Sequence, residues 1–339
     1  MDIIVLGGNK KIAIAAAILF FIFLVSLGMG SYGFAPVQSM RVLVSSILGG
    51  GANQSPLYNV VIQIRLPRIL AALLIGASLS VSGAGFQALF RNPLVSPDIL
   101  GVLAGAGFGA SIGILLDFPL PLVQAIAFGI GLVALGSSYL IAWRGGGTRI
   151  VDLVLSGIIV GSLFKSLISL VKFVADPESK LPQITYWLMG GLASVTWRDV
   201  EILTVISVPS IILLYFLRWR LDAFVVGEEE AKALGIRVEV YKAIIIVLST
   251  LPAAASTVVA GLIGWIGLVI PHISRMLFGE SNKFTIPGSA VIGSAFLLIV
   301  DTISRAVLPS ELPLEVLTSF VGVPFFAYLL KRRIYHGWS

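Results

Sequence analysis

The chain has no cysteine and only two histidines, His272 and His336. Disulfides, thiolate metal sites and cysteine nucleophiles are therefore excluded, and too few imidazoles remain for a transition-metal centre. Charge is scarce too: Asp, Glu, Lys and Arg make up 12% of the 339 residues, against about 25% in soluble domains. Several catalytic and nucleotide-binding motifs are missing, namely the G-x-x-x-x-G-K-S/T phosphate loop, H-E-x-x-H and G-x-S-x-G, and no heptad seam is present. Gly145, Gly146 and Gly147, between Arg144 and Arg149, imitate a phosphate cradle but lack the following Lys-Ser, so they read as a loop joining two apolar runs.

What is abundant is hydrocarbon. Hydrophobic residues make up 57% of the chain, there are 36 glycines, and mean hydropathy is +1.01, which is the composition of an integral membrane protein. Apolar runs long enough for a bilayer core of about 30 Å fall near 12 to 29, 66 to 89, 93 to 116, 121 to 143, 151 to 172, 198 to 217, 243 to 260, 262 to 278, 286 to 304 and 314 to 331. The fold expected is all-α and polytopic, one transmembrane domain over 1–339 with about ten spans; the pair meeting at Gly261 is the least clearly divided. Small residues, as in GASLSVSGAG at 76 to 85, let such helices pack closely where lipid gives no hydrophobic drive between them. Lys10 and Lys11 before the first run imitate a signal peptide, but the run exceeds an h-region of about 7–15 residues and no A-x-A-like site follows, so it reads as a retained anchor.

The net charge of +6 raises nucleic acid as a partner, yet the Lys and Arg residues gather at the ends of apolar runs, which is a topological pattern. With both termini cytoplasmic, most of the 23 basic residues fall inside; an odd number of spans would put Lys331, Arg332 and Arg333 outside. GFQALFRNPLVSPDILGVLAGA (85 to 106) is loosely echoed by GWIGLVIPHISRMLFGESNKFTIPGSAVIGSA (264 to 295), giving repeat-like halves at about 66–172 and 243–331. An offset of five spans would make these an inverted repeat, with a substrate path near the repeat interface.

The residues 218 to 242, RWRLDAFVVGEEEAKALGIRVEVYK, form a charged insert between apolar runs. Glu228, Glu229, Glu230 and Lys232 cannot enter hydrocarbon and must face water or another protein. Gly227 to Gly235 reads as a short helix with its carboxylates at the favourable end of the dipole, stopped at Gly235, with a second short helix from Ile236. This is a candidate coupling surface; an ordinary charged loop is the alternative.

Segments 65 to 110, 227 to 236 (GEEEAKALGI), 260 to 277 (AGLIGWIGLVIPHISRML), 286 to 305 and 311 to 330 together resemble the permease subunit of the type II ABC importers for iron siderophores, haem and cobalamin, over nearly all the chain after Asn59. The resemblance implies the type II importer permease fold in the cytoplasmic membrane of a bacterium or archaeon. It implies two copies of this subunit, two ATP-binding subunits that use ATP and Mg, and an extracytoplasmic substrate-binding protein, with no cofactor bound by this chain and no catalysis in it. Gly227, Glu228, Glu229, Glu230, Ala231, Leu234 and Gly235 then sit in a cleft of the ATPase. Arg65, Arg68 and Arg305 match arginines that meet glutamates of the binding protein in the cobalamin importer; interfacial anchoring is the alternative. Asn92, Pro93 and Leu94, with Ile150, Val151 and Leu155, match the cytoplasmic gate, although Ile150 and Val151 are more apolar than their cobalamin counterparts. A simple reversing turn is the alternative at 91 to 94.

Lys165 has no family role. An ammonium within a span of a pore-lining helix either snorkels or faces the path as a cationic patch for an anionic cargo. His272, in a Pro-His pair typical of the family, reads as a hydrogen-bonded packing residue. Two rival classes stay open. An ion-coupled secondary transporter with inverted repeats should carry acidic residues within its spans, whereas Asp152, Asp301 and Glu315 lie near span ends; an intramembrane enzyme should carry paired His or carboxylate groups in one span. The cargo, whether siderophore, haem, cobalamin or oxyanion, is not legible.

Overall fold

The computed structural model describes residues 7–29, 36–47, 56–143, 145, 147–307 and 311–335; Arg144, Gly146 and His336 lie outside them. Apolar chain in a bilayer must satisfy its backbone internally, and the described residues do so as helices, with one isolated bridge between Trp143 and Thr148 and no strand. In order these are α1 (Gly8–Gly28), α2 (Pro36–Ile47), α3 (Pro56–Tyr58), a π-helical stretch (Asn59–Arg65), α4 (Leu66–Phe90), a 3-10 turn (Pro97–Leu100), α5 (Val102–Leu115), α6 (Leu120–Ala142) and α7 (Ile150–Val174). There follow α8 (Lys180–Met189), α9 (Trp197–Phe216), α10 (Arg218–Val226), α11 (Glu228–Ala233), α12 (Val238–Ala260), α13 (Ile266–Phe278), α14 (Asn282–Val307) and α15 (Leu314–Tyr335). Among the described residues seven rods are long and apolar enough to cross a bilayer, and the shorter apolar helices Val102–Leu115, Ile266–Phe278 and Leu314–Leu329 fall where the ten-span expectation has its remaining spans.

Neighbour pairs fix the directions of the helices. Arg68 meets Asp301, Leu73 meets Ser294 and Gly76 meets Gly293, so α4 and α14 run antiparallel. Gly8 meets Phe284 and Ser26 meets Thr302, so α1 and α14 run parallel. The bundle therefore has two distinct ends, one carrying α10 and α11 and the other α8. At its centre α4 is buried along nearly its whole length, packed against α12, α13 and α14. A Cβ on Gly83 would overlap the Gly267 carbonyl oxygen, so this contact admits only glycine without displacement.

Two expectations are corrected. The third span does not begin at residue 93: α4 ends at Arg91 in the left-handed region (φ 51), Asn92 N–H donates to the Gln87 carbonyl at 3.2 Å, and helix resumes only at Val102. Pro93 and Pro97 lack the N–H groups needed to continue a helix. Non-helical backbone at membrane depth survives only where it is buried in protein or lines a water-filled cavity, and the Gln87 amide pins this stretch by donating to the Val95 carbonyl (3.2 Å) and, on α13, to those of Gly267 (3.3 Å) and Leu268 (3.2 Å). The run around Gly261 is divided into two helices as expected, with Trp265 at φ 69 between them. No second short helix starts at Ile236; the partner of α11 is α10, which precedes it, and Val238 already begins the α12 rod. Ile236 and Val238 are buried and hold that junction against the bundle. α2 and α8, short helices at the α8 end, were not expected at all.

Candidate translocation and coupling sites

At the α11 end a cavity of about 620 Å³ is lined by Asn92, Pro93, Leu94, Ile150, Val151 and Leu155, so the two separated gate segments converge on one space. Phe90, Arg91, His272 and Phe326 also line it. His272 thus faces the cavity, a placement its sequence context did not suggest. Asn92 does not offer its amide oxygen to the opening; Oδ1 accepts the Leu94 N–H at 2.9 Å and rigidifies the turn. Leu94, Val151 and Leu155 remain exposed, so the wall of this cavity is largely apolar, with Arg91 and His272 as its polar members.

Beside the cavity, α10 and α11 present the charged insert to solvent. Gly235, at φ 77, terminates α11 in a conformation that a side chain would strain, as expected. Ala231 is buried and anchors the helix, whereas Leu234 is 67% exposed, as are Val225 and Val226 at the end of α10. Glu229 and Glu230 are exposed beside them. The hydrogen bond and charge of Glu229 hold the Lys232 ammonium above its ordinary pKa. The result is an apolar knob ringed by charge, a form suited to a protein cleft.

Lys242 ties this surface to the gate, and sequence reasoning missed it. Although fully buried, its ammonium lies 2.9 Å from Glu228 on α11, 3.0 Å from Glu239 and 2.6 Å from the Thr148 carbonyl. Glu239 also accepts the Thr148 N–H at 3.1 Å. Thr148 lies two residues before Ile150, the first residue of α7 and part of the cavity wall. A second link runs from α10, where Asp222 accepts the Asn282 backbone and side-chain N–H groups, each at 2.8 Å.

The three arginines at the α8 end are corrected as a free surface, because all are buried. Arg68 donates to Asp301 at 2.8 Å and bidentately to Glu311 at 2.6 and 3.0 Å. Arg305 lies 3.3 Å from Asp301 and donates to the Met29 and Ser26 carbonyls. Arg65 donates to the Leu27 carbonyl at 3.0 Å. An unpaired buried guanidinium would be costly, so each is turned inward to stitch α1, α4 and α14 together.

Lys165 lies apart from the gate cavity. Its side chain is 68% exposed on α7, with Asp98 at 3.8 Å. Among the described residues no group of three His, Asp or Glu converges as a metal site.

The described geometry matches known proteins along its length. The model of the FecCD transport family covers residues 18–332. The molybdate import system permease protein MolB of Haemophilus influenzae is 37% identical over 314 residues, 91% of this chain and 92% of that protein. The hemin transport system permease protein HmuU of Yersinia pestis is 33% identical over 320 residues, 92% and 94% of the two chains. A solved metal-chelate type ABC transporter in an inward-facing conformation superposes with a TM-score of 0.85 at 33% identity, over 96% of this chain and all of that one. This chain, a helical membrane bundle with a broken third span, a cavity at the α11 end and an exposed charged helix pair, matched over nearly its full length, belongs to the FecCD transport family of ABC importer permeases.

Proposed function

We propose that this chain moves a metal chelate, such as an iron siderophore, haem or cobalamin, or an oxyanion, across the cytoplasmic membrane by alternating access, without covalent chemistry of its own. It works as a homodimer carrying two ATP-binding subunits on the α10–α11 surface and receives cargo from an extracytoplasmic binding protein at the α8 end. ATP and Mg belong to the partner subunits, and both termini are cytoplasmic. One observation carries this reading: the exposed Leu234 and Glu229 knob lies at the same end as the gate cavity and is tied to its wall through Lys242 and Thr148. Movement of α11 therefore reaches α7 through bonded contacts rather than through lipid. Relatives named for molybdate and hemin leave the cargo open within that range.

Co-expression with an ATP-binding subunit of the same importer class, followed by mass measurement of the detergent-solubilised complex, tests the assembly. Two copies of each subunit are expected. A monodisperse single chain that transports without any ATPase would overturn the proposal.

A further inference from the structure

The outer arc of α7 is not uniformly apolar. At 100° per residue, Val151, Leu155, Ser162, Lys165, Ser166 and Ser169 fall within about 100° of one another, with Ile158 and Phe173 among them, and all are exposed, while Leu153 and Val160 on the opposite side are buried. Val151 and Leu155 already line the gate cavity, so the same arc extends that wall along the helix, with Lys165 about 15 Å beyond Leu155. Three hydroxyls and an ammonium interrupt the apolar arc within a span, where an ammonium is costly unless it faces water or an anion. Ser166 and Ser169 donate to the Ser162 and Lys165 carbonyls at 3.0 and 3.1 Å, which leaves the ammonium as the strong donor at this level.

Opposite Lys165, the 3-10 turn of the broken span presents Asp98. Nζ to Oδ2 is 3.8 Å, too long for the charge-assisted hydrogen bond of about 2.7–2.9 Å that a committed pair would make. The carboxylate also faces the Leu103 and Ala104 N–H groups in the first turn of α5, while its Oδ1 closes no hydrogen bond. Asp98 is therefore held loosely between two cationic environments, the ammonium and a helix N-terminus.

We propose that Lys165 is an anion-selecting position on the translocation path: an oxygen-bearing anion, either an oxyanion or the carboxylate rim of a chelate, draws the ammonium from Asp98 as it passes. Asp98 then closes on the α5 amides. This deepens the importer-permease reading and rests on it.

The absence of native cysteine allows a direct test without identifying the cargo. Ser166→Cys, in the complete complex in membranes, is reacted with anionic and cationic methanethiosulfonate reagents, each rate being divided by that for a free thiol. Val133→Cys, 60% exposed on α6, is the lipid-facing control. Position 166 should react and position 133 should not, with the anionic reagent favoured several-fold at 166. Adding Lys165→Met should abolish the preference, Lys165→Arg should keep it, and Asp98→Asn should increase it. An unreactive Ser166→Cys, or a preference indifferent to Lys165 and Asp98, overturns the inference. If the ATPase still co-purifies in those preparations, the permease reading survives; if it does not, that reading fails independently.

Discussion

At Arg68 a single guanidinium holds two carboxylates from different parts of the chain, Asp301 within α14 and Glu311 just before α15. Arg68→Met leaves the fully buried Asp301 with Arg305 alone at 3.3 Å. Removing one member of a buried pair costs about 3–5 kcal/mol, much of it the stranded partner. Thermal unfolding of the detergent-solubilised protein should show that loss for Arg68→Met, and the further change Asp301→Leu should recover a substantial part of it by removing the stranded charge. An arginine serving only to dock a binding protein would behave oppositely, weakening association and leaving the unfolding temperature untouched.

Among the elements, α4 and α13 meet where the tolerance for volume is least. The Gly267 carbonyl, beside which a Gly83 Cβ would fall, is fixed by the Gln87 amide and cannot retreat. Gly83→Ala should therefore destabilise the bundle by about 1–3 kcal/mol, the usual cost of overpacking. Gly129→Ala on the exposed side of α6, with no atom within 4 Å of its added Cβ, should instead gain up to about 1 kcal/mol from helix propensity. Unfolding temperatures of the two variants should move in opposite directions. The spans themselves were legible because hydropathy and Pro/Gly punctuation are local signals, and GEEEAKALG announced α11 through its carboxylates and stop residue. Gln87 was illegible for the converse reason: it acts on a carbonyl 180 positions away and leaves no pattern near itself. The arginines were read correctly as charges at helix ends, but their direction depended on Asp301, Glu311 and the α1 carbonyls, which only folding brings near. The gate segments 92 to 94 and 150 to 155 were suggested by resemblance, and their convergence required the fold.

For the whole molecule the coupling proposal separates two failures that a single mutation would confuse. Replacing Glu229 with Arg and Leu234 with Asp reverses a charge and removes an apolar contact on the exposed knob, without touching the bundle interior. That variant should lose ATPase co-purification and uptake together, with an unchanged unfolding temperature. Lys242→Met leaves the knob intact but cuts its connection: Glu228 loses its partner at 2.9 Å and the Thr148 carbonyl loses its donor at 2.6 Å. The ATPase should still bind, and ATP hydrolysis should continue while uptake falls, because movement of α11 no longer reaches Ile150 and Val151. Breaking a buried pair will also lower stability, so uptake is to be compared with that of Arg68→Met, which carries a similar loss at the other end of the bundle. If the two variants lose uptake in equal proportion to their stability, Lys242 is a structural residue and the connection carries no signal. A selective loss of uptake per ATP hydrolysed in Lys242→Met makes the Glu228, Lys242 and Thr148 chain the route by which force on α11 opens the gate.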